Sequence, residues 1–369
     1  MSGVENVIAY ENLSAVNKPF ENAFKESFDR FLQKGWYVLG GEVKAFEEEF
    51  AAFIGTKYCV GVASGLDALI ISLECLGLPA GSDVLVPSNT YIASILAIIR
   101  AGLHPVLVEP DIWTYNMNPA ELERKCTPNT SAVLVVHLYG KPCKMDEIST
   151  FCKERGLKLV EDCAQSHGAK FNGRMTGSFG DFGAFSFYPT KNLGALGDAG
   201  AICTDSKEYA DKVRAWRNYG SEMKYHNKYL GMNSRLDEIQ ALFLRTKLRH
   251  IDEITAKKRR LAQLYFDGLD RKKFILPDQD GNCFDVFHIF NVRCERRDEL
   301  KSYLLDNGIK TEIHYPVAPN RQPAMRGILD IQEPTPVAEA IHNTTLSLPI
   351  SFGTTESEVR RVIAVMNGF

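Results

Sequence analysis

A lysine placed between a strand end that carries a hydroxyl and a turn built of small residues is equipped for nucleophilic chemistry if water is kept from its amine. Lys191 stands in such a stretch, SFYPTKNLGALGDAG, with Ser186 five residues before it. A partly desolvated ammonium gives up its proton near neutral pH, and the free amine then forms a Schiff base with a carbonyl. The Gly and Ala residues let a planar ring approach the backbone, and Ser186 offers a hydroxyl to a phosphate on that ring. The same residues also fit a lysine on a solvated Gly-rich loop.

A second segment, LVEDCAQSHG, reads as an apolar strand that ends in an acid, Asp162. Pyridoxal phosphate (PLP) needs an acid of this kind, because a carboxylate paired with the pyridine nitrogen keeps the ring protonated and able to accept electrons. Ala164 is small enough to lie against one ring face, and Gln165 suits the phenolic oxygen. A solvated strand-end acid is the alternative for Asp162 alone. In VASGLDAL a strand passes through a Gly turn into a helix, so the N–H groups of Gly65 and Leu66 face an anion site. An ordinary helix cap has the same appearance. Tyr91, in PSNTY, suits either stacking on the ring or a place in the core. Together the segments supply a phosphate cradle, a ring acid, an aromatic face and an amine, a combination far more specific than any one part.

These residues must be held by a scaffold. Short apolar runs at 58–63, 84–86, 105–108, 132–136, 158–161, 184–187 and 201–203 alternate with helical stretches, including 66–76, 92–101 and 145–155. That alternation predicts an α/β fold with a mostly parallel seven-stranded sheet covered on both faces. In such sheets ligands sit beyond the carboxyl ends of the strands. After residue 205 the texture changes to charged helices at 234–249 and 255–269, strands at 287–293 and 309–314, and a closing helix at 355–367. The expected division is a large cofactor-binding domain, 1–249 with its N-terminal segment, and a smaller α/β domain, 250–369. There is no internal repeat.

Composition narrows the function classes. The 369 residues include 43 basic and 46 acidic ones, a net charge of −3, so no global attraction to nucleic acid or anionic lipid is expected. The basic run at 257–260 reads as a solvated helix face. Nine cysteines with no C-x-x-C pair point to reduced, mostly buried thiols. The eight histidines form no pair at ligand spacing, so no metal is expected. The opening MSGVEN lacks a basic stretch followed by an apolar one, and the longest apolar run, 91–99, is too short to span a bilayer. A cytoplasmic protein with no membrane contact is the expectation.

Across nearly the whole chain these segments resemble the DegT/StrS-type sugar-nucleotide aminotransferases, which have the aspartate-aminotransferase-like PLP fold type I. The matching pieces are GWYVLGGEVKAFEEEFA, ASGLDAL, PSNTYIAS, VVHLYGKP, EDCAQSHGA, GAFSFYPTKNLGALGDAGA, GMNSRLDEIQA and HYPVAPNRQPA. The resemblance implies that Lys191 carries the cofactor and moves the proton in catalysis. It implies that Asp162 pairs with the ring nitrogen, Gln165 with the ring oxygen, and Gly65, Leu66 and Ser186 with the phosphate. Asn233 falls where relatives reach the phosphate of the neighbouring subunit, which implies a homodimer with shared sites. Some relatives carry histidine in place of the lysine and act as sugar dehydratases, and Lys191 argues against that chemistry.

The implied reaction is ping-pong, with L-glutamate as donor and a nucleotide-linked keto-sugar as acceptor. The candidate substrate contacts are Tyr188, His314, Tyr315, Lys224 and Tyr225. The stretch RNYGSEMKYHN, from 217 to 227, resembles the loop of enzymes acting at C3 of dTDP-3-keto-6-deoxyhexoses, although a basic-aromatic loop is also a common solvated surface. The expected product is a dTDP-3-amino-3,6-dideoxyhexose; amination at C4, or of a UDP-linked sugar, is the alternative. Two departures from the family pattern are Asn320, where many relatives have a second histidine, and Ala199, where Gly is common. A regulator that has lost catalysis is the reading from another class, and the complete lysine–aspartate set speaks against it.

Overall fold

The computed structural model describes residues 7–329 and 332–369. Seven strands make the main sheet: β1 Tyr58–Val62, β2 Asp83–Pro87, β3 His104–Val108, β4 Thr130–Val136, β5 Lys158–Asp162, β6 Phe182–Ser186 and β7 Gly200–Thr204. Their order across the sheet is β1-β7-β6-β5-β4-β2-β3. Among these strands only β7 runs antiparallel to its neighbours, β1 and β6; the remaining pairs are parallel. Ala132 to Val136 are all buried, which is why β4 reads as an unbroken apolar run: both sheet faces are covered.

The helices used below are α1 Glu21–Lys34, α2 Gly41–Ile54, α3 Gly65–Leu76, α4 Ile92–Arg100, α5 Met145–Arg155, α6 Lys207–Trp216, α7 Glu238–Leu248, α8 Ile251–Gly268, α9 Arg297–Asp306, α10 Pro336–Thr344 and α11 Glu356–Gly368. One apolar cluster joins the sheet to α3, α4 and α6 through Leu69, Ile98 and Val213. On the other side Phe46 and Phe50 of α2 meet Phe185, Phe187 and Leu244. The buried carboxylate of Glu238 accepts from the backbone N–H groups of Gly40 (2.7 Å), Glu42 (3.0 Å) and Val43 (2.8 Å), so α7 caps the start of α2.

A separate apolar cluster gathers Tyr265, Phe266, Phe290, Leu348, Val359, Val362 and Met366, and Ile8 from the other end of the chain joins it. It packs α8 and α11 over an antiparallel pair, β8 Phe290–Arg293 and β9 Thr345–Leu348. The helix expected at 355–367 is α11, started by a capping box between Thr355 and Glu358.

Several boundaries differ from the sequence reading. The expected strand at 309–314 is not a continuous ladder. At its start Ile8 donates to the Gly308 carbonyl and accepts from the Lys310 N–H, whereas Glu312 pairs with Ser347, so the segment changes partners midway. The strand expected at 287–293 shortens to 290–293, because Phe287 takes a positive φ of 45°. Strand β9 lies in a stretch read without regular structure. The helix expected from 234 starts at Glu238, since Asp237 is extended, and the one expected from 255 starts at Ile251. The basic run at 257–260 is not a solvated face: Lys258 is 2% exposed, and Lys257 and Arg259 are half-buried. All nine cysteines are free and seven are buried. Among the described residues no helix is long and apolar enough to cross a membrane.

Candidate active site

Asp162 ends β5, and Lys191 lies in the turn that follows the neighbouring strand β6. The Asp162 carboxylate is 6% exposed; its Oδ1 accepts from the Ala164 N–H (3.1 Å) and its Oδ2 from Ser94 Oγ (2.8 Å). Burial raises its pKa, while those two bonds and the charge of Lys191 act to keep it ionised. Burial lowers the Lys191 amine to about 8, against the opposing pull of Asp162. The Lys191 N–H donates to the Tyr188 carbonyl (2.8 Å), but its amine has no hydrogen-bond or ion-pair partner among the described residues.

Next to this pair lies an anion cradle. Ser64 caps α3, accepting from the Asp67 N–H at 3.1 Å, which leaves the N–H groups of Gly65 and Leu66 outside the helical ladder. A Cβ on Gly65 would fall 2.5 Å from Ser186 Cβ and 3.1 Å from Ser186 Oγ, so the two candidate phosphate contacts touch. The cradle is braced from outside. Ser234 donates to Asp67 Oδ2 at 2.7 Å and accepts from the Ala63 N–H at 3.1 Å.

On the opposite side, Gln165 is oriented at both ends of its amide. Its Oε1 accepts from the Tyr139 N–H (2.6 Å), and its Nε2 donates to the Tyr315 hydroxyl (3.1 Å). The Tyr315 ring lies 5.1 Å from that of Tyr91, which is 55% exposed. Tyr91 is therefore a cleft residue and not a core one. His314 shares a 2.9 Å hydrogen bond with Ser347 Oγ, and burial, then Lys191, lowers its pKa to about 4. The Tyr139 hydroxyl donates to the His314 carbonyl.

Not every sequence candidate reaches this cluster within one protomer. Tyr188 is 52% exposed and Asn233 is exposed, bridging to Asn218. Lys224 and Tyr225 sit at the tip of a hairpin, with the Lys224 amine 5.1 Å from the Tyr225 ring, and Tyr225 is 85% exposed. No contact joins them to Lys191 among the described residues.

The structure adds residues that the motifs did not single out. Ser94 was the one polar residue facing the sheet in an otherwise apolar helical stretch, a signal that was there to be read. His288 and Lys258 come from the far end of the chain, and no local pattern marks them. His137, Glu161 and Cys163 are buried within ligand distance of one another. Glu161, however, already accepts from His137 Nε2 (3.0 Å) and from the N–H groups of Gly177 (2.7 Å), Phe179 (2.6 Å) and Gly180 (2.8 Å). His137 Nδ1 accepts from the Cys143 N–H at 3.0 Å, so the ring proton sits on Nε2 and the group is a brace behind Asp162.

The donor set fits PLP: an unpartnered amine, a buried acid one strand away, and a turn whose open N–H groups meet a serine hydroxyl where no Cβ could stand. Comparison with known proteins agrees. Residues 20–367 match the DegT/DnrJ/EryC1/StrS aminotransferase family. The chain is 46% identical, over 98% of its length and 99% of the relative, to the dTDP-3-amino-3,6-dideoxy-alpha-D-galactopyranose transaminase of Aneurinibacillus thermoaerophilus. It is 43% identical, over 96% of its length and 94% of the relative, to the dTDP-3-amino-3,4,6-trideoxy-alpha-D-glucose transaminase of Streptomyces venezuelae. The crystal structure of S. venezuelae DesV superposes with a TM-score of 0.96 at 42% identity, covering 98% of each chain. The protein is thus an enzyme that belongs to the DegT/DnrJ/EryC1/StrS aminotransferases, and pyridoxal phosphate is its cofactor.

Proposed function

We propose that this enzyme moves an amino group from L-glutamate to C3 of a dTDP-3-keto-6-deoxyhexose, giving a dTDP-3-amino-3,6-dideoxyhexose. The observation that carries the reading is the placement of the Lys191 amine and the Asp162 carboxylate at the ends of neighbouring strands, beside the Gly65–Ser186 cradle. The choice of C3 and of dTDP is supported by the two relatives just named, both of them transaminases of dTDP-3-amino sugars.

When bound, PLP supplies an aldehyde that receives the amino group and a ring that accepts the electrons released with the substrate proton. In this reading the N–H groups of Gly65 and Leu66 and the Ser186 hydroxyl hold the phosphate. Asp162 keeps a proton on the ring nitrogen, with Ser94 and Ala164 steadying its carboxylate. Gln165 donates to the ring oxygen, and Tyr91 covers a ring face. The Lys191 amine holds the cofactor between turnovers and moves the proton at the substrate carbon, which its depressed pKa suits. His314, Tyr315 and Tyr188 line the sugar side of the cleft.

The working form is a homodimer in the cytoplasm, with a large domain at 1–249 and a small one at 250–369. Dimerisation is supported by the apolar surface of Phe28, Leu32, Trp36, Tyr37 and Val38, exposed by 38 to 64%, which a soluble monomer would not favour. Asn233, Lys224 and Tyr225, exposed in their own protomer, then serve the partner's site. The two-domain division is supported by the separate apolar cluster of the C-terminal third.

The direct test is to supply the holoenzyme with 15N-labelled L-glutamate and, separately, dTDP-3-keto, dTDP-4-keto and UDP-linked keto-sugars, and to weigh the nucleotide products. Label on the dTDP-3-keto sugar is expected. Label on the 4-keto or UDP-linked sugar alone would replace this reading with the corresponding sibling activity.

A further inference from the structure

Outside the cofactor site, a second cleft of about 730 Å³ opens between a hairpin, α8 and the loop that precedes β8. None of its lining residues is among the groups described around Lys191. The pair Asn172-Gly173 sets the hairpin: both residues take a positive φ, 48° and 79°, as a tight two-residue turn requires. The turn joins the short strands Lys170–Phe171 and Arg174–Met175, and Cys283–Phe284 pairs with the first of them. The Asn172 N–H donates to the Asn282 carbonyl at 2.8 Å, which ties the hairpin to the loop.

Two cations and an aromatic ring line this cleft together. The Phe284 ring is 40% exposed, with the Arg259 guanidinium carbon 4.1 Å and the Lys170 amine 5.8 Å from its centroid. Arg259 Nη1 donates to the Asp285 carbonyl at 2.6 Å, which fixes the guanidinium against the ring. Its Nε and Nη2 have no hydrogen-bond partner among the described residues, and the Lys170 amine has neither a hydrogen-bond nor an ion-pair partner among them. A guanidinium held on a ring in this way keeps an N–H edge free for two oxygens of a bound anion.

The acids of the cleft are already engaged. Asp285, 7% exposed, pairs with Lys141 Nζ at 3.3 Å, and Asp280 Oδ1 accepts from the Asn282 N–H of its own loop at 2.9 Å. The two cations are left without a carboxylate contact, both within 5.8 Å of one ring centroid. A dianionic phosphate matches two cations better than a single carboxylate does. The cleft has the size of a small-molecule site, far more than an inorganic anion fills, and its ring offers apolar contact to whatever the phosphate is attached to.

We propose that this cleft is a second ligand site that takes phosphate esters: the Arg259 fork and the Lys170 amine hold the phosphate, and Phe284 packs against the organic group. The site does not depend on which sugar the enzyme aminates.

The test is hydrogen–deuterium exchange of the holoenzyme, read by mass spectrometry in the segments 170–175 and 279–285, with dTDP, glucose 1-phosphate or inorganic phosphate added separately. Slower exchange in both segments with dTDP or with glucose 1-phosphate is expected. The ester that acts at the lower concentration identifies the ligand as a nucleotide or a sugar phosphate. Binding of dTDP beside Lys191 is read separately, in the segment 186–196. In Lys170→Ala and in Arg259→Ala the half-effective concentration is expected to rise at least about tenfold, the loss of one hydrogen bond to a charged group. Lys170→Ala removes a side chain with no hydrogen bond in the protein, so it provides the answer if Arg259→Ala fails to fold. No slowing with either ester, equal slowing with inorganic phosphate at the same concentration, or slowing that Lys170→Ala leaves unchanged would overturn the proposal.

Discussion

Ser94 donates a 2.8 Å hydrogen bond to Asp162 Oδ2 from the first turn of α4, and its oxygen lies 2.9 Å from Thr90 Oγ1. With its own proton committed to the carboxylate, Ser94 accepts from Thr90, so a two-hydroxyl relay steadies the Asp162 carboxylate. A hydrogen bond to a charged group contributes about 1.5 to 3 kcal/mol. Ser94→Ala therefore lets the Asp162 pKa rise further and is expected to lower kcat about tenfold, with the fold intact by circular dichroism. An unchanged kcat would mean that the Ala164 N–H alone suffices.

Gly65 and Ser186 approach too closely to admit a side chain. Gly65→Ala places a Cβ 2.5 Å from Ser186 Cβ and 3.1 Å from its Cα, pushing apart the two halves of the cradle. Cofactor affinity, followed by the visible band during titration, is expected to fall by about 5- to 150-fold, since overpacking of this kind costs about 1 to 3 kcal/mol. Gly41→Ala, where a Cβ meets nothing within 4 Å, is the control expected to bind normally.

His167 is fully buried and lies between Phe185 and Phe187 at ring distances of 5.7 and 5.5 Å. Burial, reinforced by Lys191, lowers its pKa from 6.5 to about 3. The unfolded chain thus binds this proton more readily than the folded one. The stability at stake is fully present above pH 6.5 and is lost as pH falls toward 3, by about 1.4 kcal/mol per pH unit within that window. In His167→Phe the acid slope of unfolding free energy, from denaturant titrations of the cofactor-free chain, is expected to be shallower by one proton. An unaltered slope would show that His167 is already protonated in the folded state.

The proposal that two protomers share their sites is tested by complementation. Lys191→Ala and Asn233→Ala are each expected to be nearly inactive. In a mixed dimer one site combines an intact Lys191 with the other chain's intact Asn233. Re-equilibrated equal mixtures should regain about a quarter of normal activity, as random pairing in a two-fold dimer requires. Mixtures no more active than their components would place Asn233 outside the partner's site.

Much of this was legible in the sequence because the informative residues are close to strand ends. Asp162, Gln165, Ser186 and Lys191 stand at or just after the ends of β5 and β6, which pair in parallel. Gly65 could be read from its turn, but only the structure shows Ser186 as the atom that excludes a Cβ. Distance along the chain hid the rest. Lys258 looked solvated because three of its neighbours are basic, and its acceptors, Asn192 and the His288 carbonyl, lie 66 and 30 residues away. The strand expected at 309–314 failed because alternation in sequence says nothing about a change of partner from Ile8 to Ser347.

The most direct measurement mixes the PLP form of the enzyme, separately, with 3-amino and 4-amino dTDP-hexoses while following the visible cofactor band, with Lys191→Ala as control. Loss of the band with the 3-amino sugar alone, and no such response in Lys191→Ala, is the expected result. Loss with the 4-amino sugar alone, or a Lys191→Ala protein that responds like the unsubstituted one, would contradict a C3 aminotransferase that works through Lys191.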